Sequence, residues 1–234
     1  MTEAGKQDQP KPRAPLEALD ALAREEVLLA PGLRHVEIYT MQGLLTILWH
    51  GPVDAAAVVL MSGGAMGGLL GPAGGLYHDL GVAFAEQGIA TMRVGYRRAN
   101  DLGRCVHDIA AAADLASRTG AQRFVTVGHS FGGAVAVQAG MVLGPCCAGI
   151  VTLSTQSAGC EDIGALRSDV PLLLLHGDRD ELLPPETSAV VQMLAGRGEV
   201  EILPGAGHLL TEAHDELRAR LGTWIPERLD ALAR

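Results

Sequence analysis

The stretch Arg123-Phe124-Val125-Thr126-Val127-Gly128-His129-Ser130-Phe131-Gly132-Gly133-Ala134-Val135 decides the fold of this chain. Its first five residues are short, apolar and β-branched, the pattern of a buried strand. From Gly133 to Leu143 the sequence is apolar nearly all round, the pattern of a buried helix. Between them stands Gly128-His129-Ser130-Phe131-Gly132, with a glycine two residues to either side of the serine. So tight a passage from strand to helix predicts a strained backbone at Ser130 with its hydroxyl exposed. Side chains at positions 128 and 132 would clash there. The pattern is a nucleophile elbow, and it makes Ser130 the candidate nucleophile.

A serine hydroxyl is a poor nucleophile at neutral pH, so it needs a base and a group to orient that base. Both types of group follow in the chain. Residues 171–176, Pro-Leu-Leu-Leu-Leu-His, read as a continuous apolar strand, and Gly177-Asp178-Arg179-Asp180-Glu181-Leu182-Leu183-Pro184 comes after it. Residues 200–203 read as another short strand, and Pro204-Gly205-Ala206-Gly207-His208 comes after that. Each candidate sits just past the C-terminal end of a strand, where open α/β sheets place their sites. His208, alone among the histidines, follows the last strand in a glycine-rich turn and is the candidate base. His129 precedes the serine and His176 ends a buried strand, so both read as structural. His35, His50, His78, His107 and His214 lie on strand edges or helices and read as satisfied or solvated. The spacing leaves the acid open among Asp178, Asp180, Glu161 and Asp162.

In this order and spacing, the elbow, the strand ending in His-Gly-Asp-Arg-Asp-Glu-Leu-Leu-Pro and the Gly-Ala-Gly-His turn resemble the α/β-hydrolase superfamily. The resemblance runs from about residue 33 to the C-terminus. It implies a mostly parallel eight-stranded twisted sheet with helices on both faces. It also implies a Ser130–His208–Asp180 triad, because the family pattern Gly-x-x-Asp places the acid at its fourth position. Asp178 then reads as a turn residue bonded to its own backbone. An oxyanion hole is implied as well, with one donor the N–H of Phe131 at a helix N-terminus. The other donor comes from the loop after the strand at 55–61, Ser62-Gly63-Gly64-Ala65-Met66-Gly67-Gly68. By position it is Gly64, with Ala65 left open. Ser62 stands where relatives carry histidine, so a hydroxyl has to do whatever bracing that histidine does.

Residues 55–77 carry no charge, and a hydropathy window would mark them as a membrane span. Glycines at 63, 64, 67, 68, 71, 74 and 75, together with Pro72, exclude that reading. A dinucleotide cradle would need glycine at Ala65, and no Gly-Lys-Ser/Thr follows.

With 234 residues, 48% apolar and 3% aromatic, the chain suits one domain whose core is Leu, Val and Ala. We expect a disordered tail over residues 1–13 and a single domain over residues 14–234. A helix is expected through Leu16, Leu19 and Leu22. A formal charge of −9 argues against nucleic acid or anionic membrane as partner. Cys105, Cys146, Cys147 and Cys160 show neither disulfide nor metal-ligand spacing, so they read as free thiols of a reducing, cytoplasmic compartment. No metal site and no cofactor is expected. The N-terminus lacks the apolar core of a signal peptide.

The rest of the chain reads as alternating strands and helices. An edge hairpin spans 35–49 and a helix spans 76–87. A strand covers 89–95. The following helix has Leu102, Val106, Ile109 and Ala113 inward and Asp108, Asp114 and Arg118 toward solvent. A strand is expected at 148–154, and a last helix from 211 interrupted by Pro226. Only residues 155–170 separate that strand from the next, so no substantial lid is expected and the site should be open. That resembles the lidless group of small carboxylesterases and dienelactone-hydrolase-like proteins. Dienelactone hydrolases proper use cysteine where this chain has Ser130. Met66, Leu70, Phe131, Leu182 and Leu183 are the apolar candidates for the pocket. The function implied is hydrolysis of a small ester or thioester. A peptidase or amidase, or a binding or scaffold protein without turnover, are the alternatives.

Overall fold

The computed structural model describes residues 13–232. Apart from Arg13, the tail expected over residues 1–13 lies outside the described residues. Nine strands form one sheet in the order β1-β2-β3-β5-β4-β6-β7-β8-β9. β1 (Ala23–Ala30), β2 (Leu33–Thr40) and β3 (Gly43–His50) form an antiparallel meander, and β3 pairs antiparallel with β5 (Ala90–Gly95). β5, β4 (Ala57–Ser62), β6 (Arg123–His129), β7 (Cys147–Leu153), β8 (Leu172–Gly177) and β9 (Glu199–Leu203) run parallel. This is the α/β-hydrolase architecture, with one strand more than the sequence suggested.

Parallel strands covered on both faces have no polar side, which is why the central strands read as unbroken apolar runs. Val59, Met61, Val125 and Val127 pack against α1 (Leu76–Ala85) and α5 (His214–Ala231). Val58, Leu60 and Phe124 face the opposite way, toward α2 (Leu102–Ser117) and α3 (Phe131–Leu143). Beyond α3, α4 (Glu186–Ala195) covers β7 and β8 through Val191 and Ala195, a helix the sequence reading did not include.

Three expectations need correction. The helix expected through Leu16, Leu19 and Leu22 is a single 3-10 turn, Glu17–Leu19, ended by Asp20 at φ 49°. The chain then enters β1, whose Ala-Arg-Glu-Glu-Val-Leu-Leu-Ala sequence favours helix but pairs with β2 from Ala23↔Tyr39 to Ala30↔Leu33. Pairing at a sheet edge overrides weak local propensity. The last helix runs unbroken through Pro226, because Trp224, Ile225 and Leu229 bury on the sheet around it. That burial offsets the roughly 3 kcal/mol that an interior proline costs. Asp108, expected in solvent, is fully buried, with Oδ1 taking the Arg97 guanidinium and Oδ2 the Arg97 N–H at 2.9 Å.

Between β7 and β8, residues 154–171 hold only a 3-10 turn, Glu161–Ala165. Cys160, Ile163 and Leu166 of that segment pack with Val191 and Ala195 of α4 and with Ala134 and Val137 of α3. The connection therefore lies in the helix layer and forms no lid. Among the described residues, no helix is long and apolar enough to cross a membrane.

Candidate active site

Ser130 occupies the corner between β6 and α3 at φ 57°, ψ −122°. A conformation so rarely populated by a residue with a side chain costs on the order of 1–3 kcal/mol and persists because its surroundings hold it. The Ser130 N–H donates to Leu153 O at 2.8 Å, and Ser130 O accepts from Gly133 N–H at 2.9 Å. The flanking glycines are a spatial necessity. A Cβ on Gly128 would lie 1.8 Å from Gly132 O, and one on Gly132 would lie 2.3 Å from Gly63 O.

Asp180 and His208 come together from the turns after β8 and β9. His208 Nδ1 donates to Asp180 Oδ2 at 2.8 Å, with the carboxylate fully buried and the imidazole nearly so. Asp180 Oδ1 accepts the N–H groups of Leu182 at 2.9 Å and Leu183 at 2.8 Å. Burial alone would raise the Asp180 carboxyl. The N–H donors of Leu183, His208 and Leu182 outweigh it and hold the group below the usual carboxylate range. Of the other candidate acids, Asp178 is exposed and its Oδ1 clasps Gly205 N–H at 2.6 Å. Glu161 accepts from Gly159 N–H in the β7–β8 connection, and Asp162 follows it on the exposed side of the 3-10 turn there.

Ser130 and His208 line one cavity of about 430 Å³. Among the described residues no hydrogen bond joins Ser130 Oγ to His208. Met66, Leu70 and Leu182 line the cavity, joined by Leu69 and Leu209. Leu183 and Phe131 do not. Leu183 is turned in so that its backbone can serve Asp180 and His176, and the Phe131 ring packs edge-on against Tyr96 at 6.4 Å in the core.

The loop after β4 lies across Ser130. A Cβ on Gly64 would stand 3.7 Å from Ser130 Cβ, and Gly67 N–H donates back to Gly64 O at 2.9 Å, closing a tight turn. Ala65 lines the same cavity and leans into the core beside α2 and α3. The Ser62 hydroxyl lies 3.2 Å from both Val127 O and Gly132 O, so it ties the loop to β6 and α3. Two tyrosines that the sequence did not single out hold the loop from its other sides. Tyr77 OH donates to Ser62 O at 2.9 Å and Tyr96 OH to Gly63 O at 3.0 Å. Burial pushes both phenols above their ordinary range.

His129 was expected to point away, yet it lines the cavity. Its Nε2 donates to His208 O at 2.9 Å, and the two rings are 4.9 Å apart. Burial pushes the His129 imidazole down to about 4, so it stays neutral and does not oppose a charge on His208. Among the described residues no group of three or more His, Cys, Asp or Glu side chains is placed to hold a metal ion. The cysteines are free, and Cys105, Cys147 and Cys160 are buried.

The chain has the α/β-hydrolase fold. At the sequence level no family model and no curated protein matches it. Solved structures match over most of its length. The dienelactone hydrolase of Anabaena variabilis superposes with a TM-score of 0.71 at 16% identity, covering 88% of this chain and 99% of its own. Est1E of Butyrivibrio proteoclasticus gives 0.70 at 16% identity, over 84% and 99%. XC6422 of Xanthomonas campestris, an α/β serine hydrolase without a lid, gives 0.67 at 17% identity, over 86% and 98%.

Proposed function

We propose that this protein is a serine hydrolase that cleaves carboxylic ester or thioester bonds of small, uncharged substrates through Ser130, His208 and Asp180. The observation that carries this reading is the buried 2.8 Å contact between Asp180 and His208 Nδ1, on a histidine sharing its cavity with a strained, half-buried serine. Ser130 Oγ attacks the substrate carbonyl carbon while its proton passes to His208 Nε2. The carbonyl oxygen becomes an oxyanion, held by the N–H groups of Phe131 and Gly64. Asp180 fixes the His208 tautomer and stabilises the imidazolium without taking its proton. Collapse of the tetrahedral adduct breaks the bond to the alcohol or thiol, which leaves with the proton from His208. Water then attacks the acyl-serine by the same route and regenerates the enzyme.

The lining supports an uncharged substrate. Apart from the two histidines, every side chain on the cavity is apolar, a glycine or Ser130. Among the described residues no Lys or Arg lines the cavity. Ser130→Ala should lower turnover of p-nitrophenyl acetate by about 10⁴–10⁶-fold. A fluorophosphonate probe should label the parent once, at Ser130. Labelling that survives the substitution, or a parent that neither labels nor hydrolyses any simple ester, would overturn the proposal.

A further inference from the structure

We propose that His176, the last side chain of β8 before its closing glycine, is a positioning residue that locks the Asp180 carboxylate onto His208. The inference rests on the triad reading above and goes beyond it. His176 is fully buried, and all of its polar reach is used inside the protein. Nε2 lies 3.1 Å from Asp180 Oδ2 and 3.1 Å from Leu183 O. Neither a carboxylate nor a carbonyl oxygen has a hydrogen to give, so Nε2 must carry the ring proton. Nδ1 lies 2.7 Å from Ser188 Oγ, a fully buried hydroxyl on α4 that can donate. Nε2–H therefore points to Asp180, and Nδ1 meets the Ser188 hydroxyl on the other side of the ring.

Asp180 Oδ2 therefore receives two imidazole N–H groups, from His208 Nδ1 and His176 Nε2, while Oδ1 receives two backbone N–H groups. The two histidines carry their protons on opposite nitrogens. Each is set by the same oxygen atom. Without His176, Oδ2 would be held only by the imidazole it is meant to orient, and the two N–H groups on Oδ1 would be left to hold the carboxylate plane. With His176 in place the plane of the carboxylate is set before His208 meets it. The chain of contacts runs from α4 through Ser188, His176 and Asp180 to His208. The orientation of the base thus rests on a helix behind the sheet and not on the loop that carries it.

The test compares His176→Leu, which removes the donor, with His176→Gln, whose amide returns an N–H near the position of Nε2. Loss of alignment at a reacting group costs up to about 10²-fold in rate. His176→Leu should lower kcat for p-nitrophenyl acetate by about 10- to 100-fold, with KM within about threefold of the parent, since His176 does not reach the cavity. His176→Gln should recover most of the loss. Imidazole ¹⁵N–¹H correlation spectra of the parent should show a proton on His176 Nε2 and one on His208 Nδ1. A His176 without a proton on Nε2, a His176→Leu variant within twofold of the parent, or a glutamine variant no better than leucine would each overturn the inference. If His176→Leu does not fold, the glutamine variant and the parent spectrum still decide. Ser130→Ala is assayed alongside. Undiminished turnover there defeats the triad reading itself, whereas loss there with an unaffected His176→Leu defeats only the role of His176.

Discussion

Asp180→Asn exchanges one carboxylate oxygen for an NH₂ group of nearly the same size, and the surroundings of Asp180 dictate where that NH₂ must go. On the Oδ1 side it would meet the N–H groups of Leu182 and Leu183, which cannot give up their hydrogens. Each backbone N–H left without an acceptor there would cost about 1–3 kcal/mol. On the Oδ2 side it meets His208 and His176, and an imidazole can move its proton to its other nitrogen. The amide oxygen therefore stays on the backbone and the NH₂ faces the histidines. His208 then accepts at Nδ1 and carries its proton on Nε2, the nitrogen that has to receive the proton of Ser130. The variant is folded but, on the proposed mechanism, holds His208 in the wrong tautomer, which should lower kcat by about 10⁴-fold. That is about 5.5 kcal/mol of transition-state stabilisation. KM should change little, because Asp180 is not on the cavity wall. Steady-state hydrolysis of p-nitrophenyl acetate by parent and variant measures both quantities, with urea unfolding as the control for folding. A variant with parent-like unfolding and kcat within tenfold of the parent would refute the reasoning.

Two further outcomes are expected. Burial, with Arg93 nearby, pushes His50 from 6.5 down to about 4, and burial does the same to His129. The unfolded chain binds protons at these sites that the folded chain refuses, so their contribution is complete above pH 6.5 and is lost as pH falls toward 4. Urea midpoints measured across that range should drop with acid, and less steeply in His50→Gln; equal slopes would contradict the assignment. Acyl preference is the second outcome. Met66 is 96% exposed, and Leu70, Leu182 and Leu209 are at least 60% exposed, so a long chain would find little cover. Each methylene left in water forgoes about 0.8 kcal/mol. Across a p-nitrophenyl ester series, kcat/KM should peak at short acyl groups and then flatten or fall. A steady rise to twelve carbons or more would show that the site covers its substrate after all.

What could be read in advance was whatever is written locally. The elbow at 128–132, the leucine run of β8 and the glycine-rich turn before His208 each carry their signal within a few residues. What could not be read depends on long-range contact. β1 looks helical by composition and is a strand only because β2 offers it partners. Asp108 sits on a helix face that periodicity assigns to water, and Arg97 draws it inward. Tyr77, Tyr96, His129 and His176 have no pattern of their own. Their roles exist only once a carbonyl or carboxylate from elsewhere in the chain is brought to them. The helix α4 and the continuity of α5 through Pro226 were likewise settled by packing, not propensity.

The absence of side chains between Gly132 and the loop after β4 has a mechanical consequence. Gly132 Cα faces the carbonyls of Ser62 and Gly63 with no room for even a methyl group, since a Cβ there would stand 2.8 and 2.3 Å from the two oxygens. Main chain rests on main chain, and there is no rotamer in the joint to relax or swap. The near half of the loop and the serine corner thus behave as one stiff part. Farther along, the side chains of Met66 and Leu70 are exposed. Substitutions at Met66 and Leu70 should therefore retune what the cavity accepts while leaving the corner at Ser130 undisturbed.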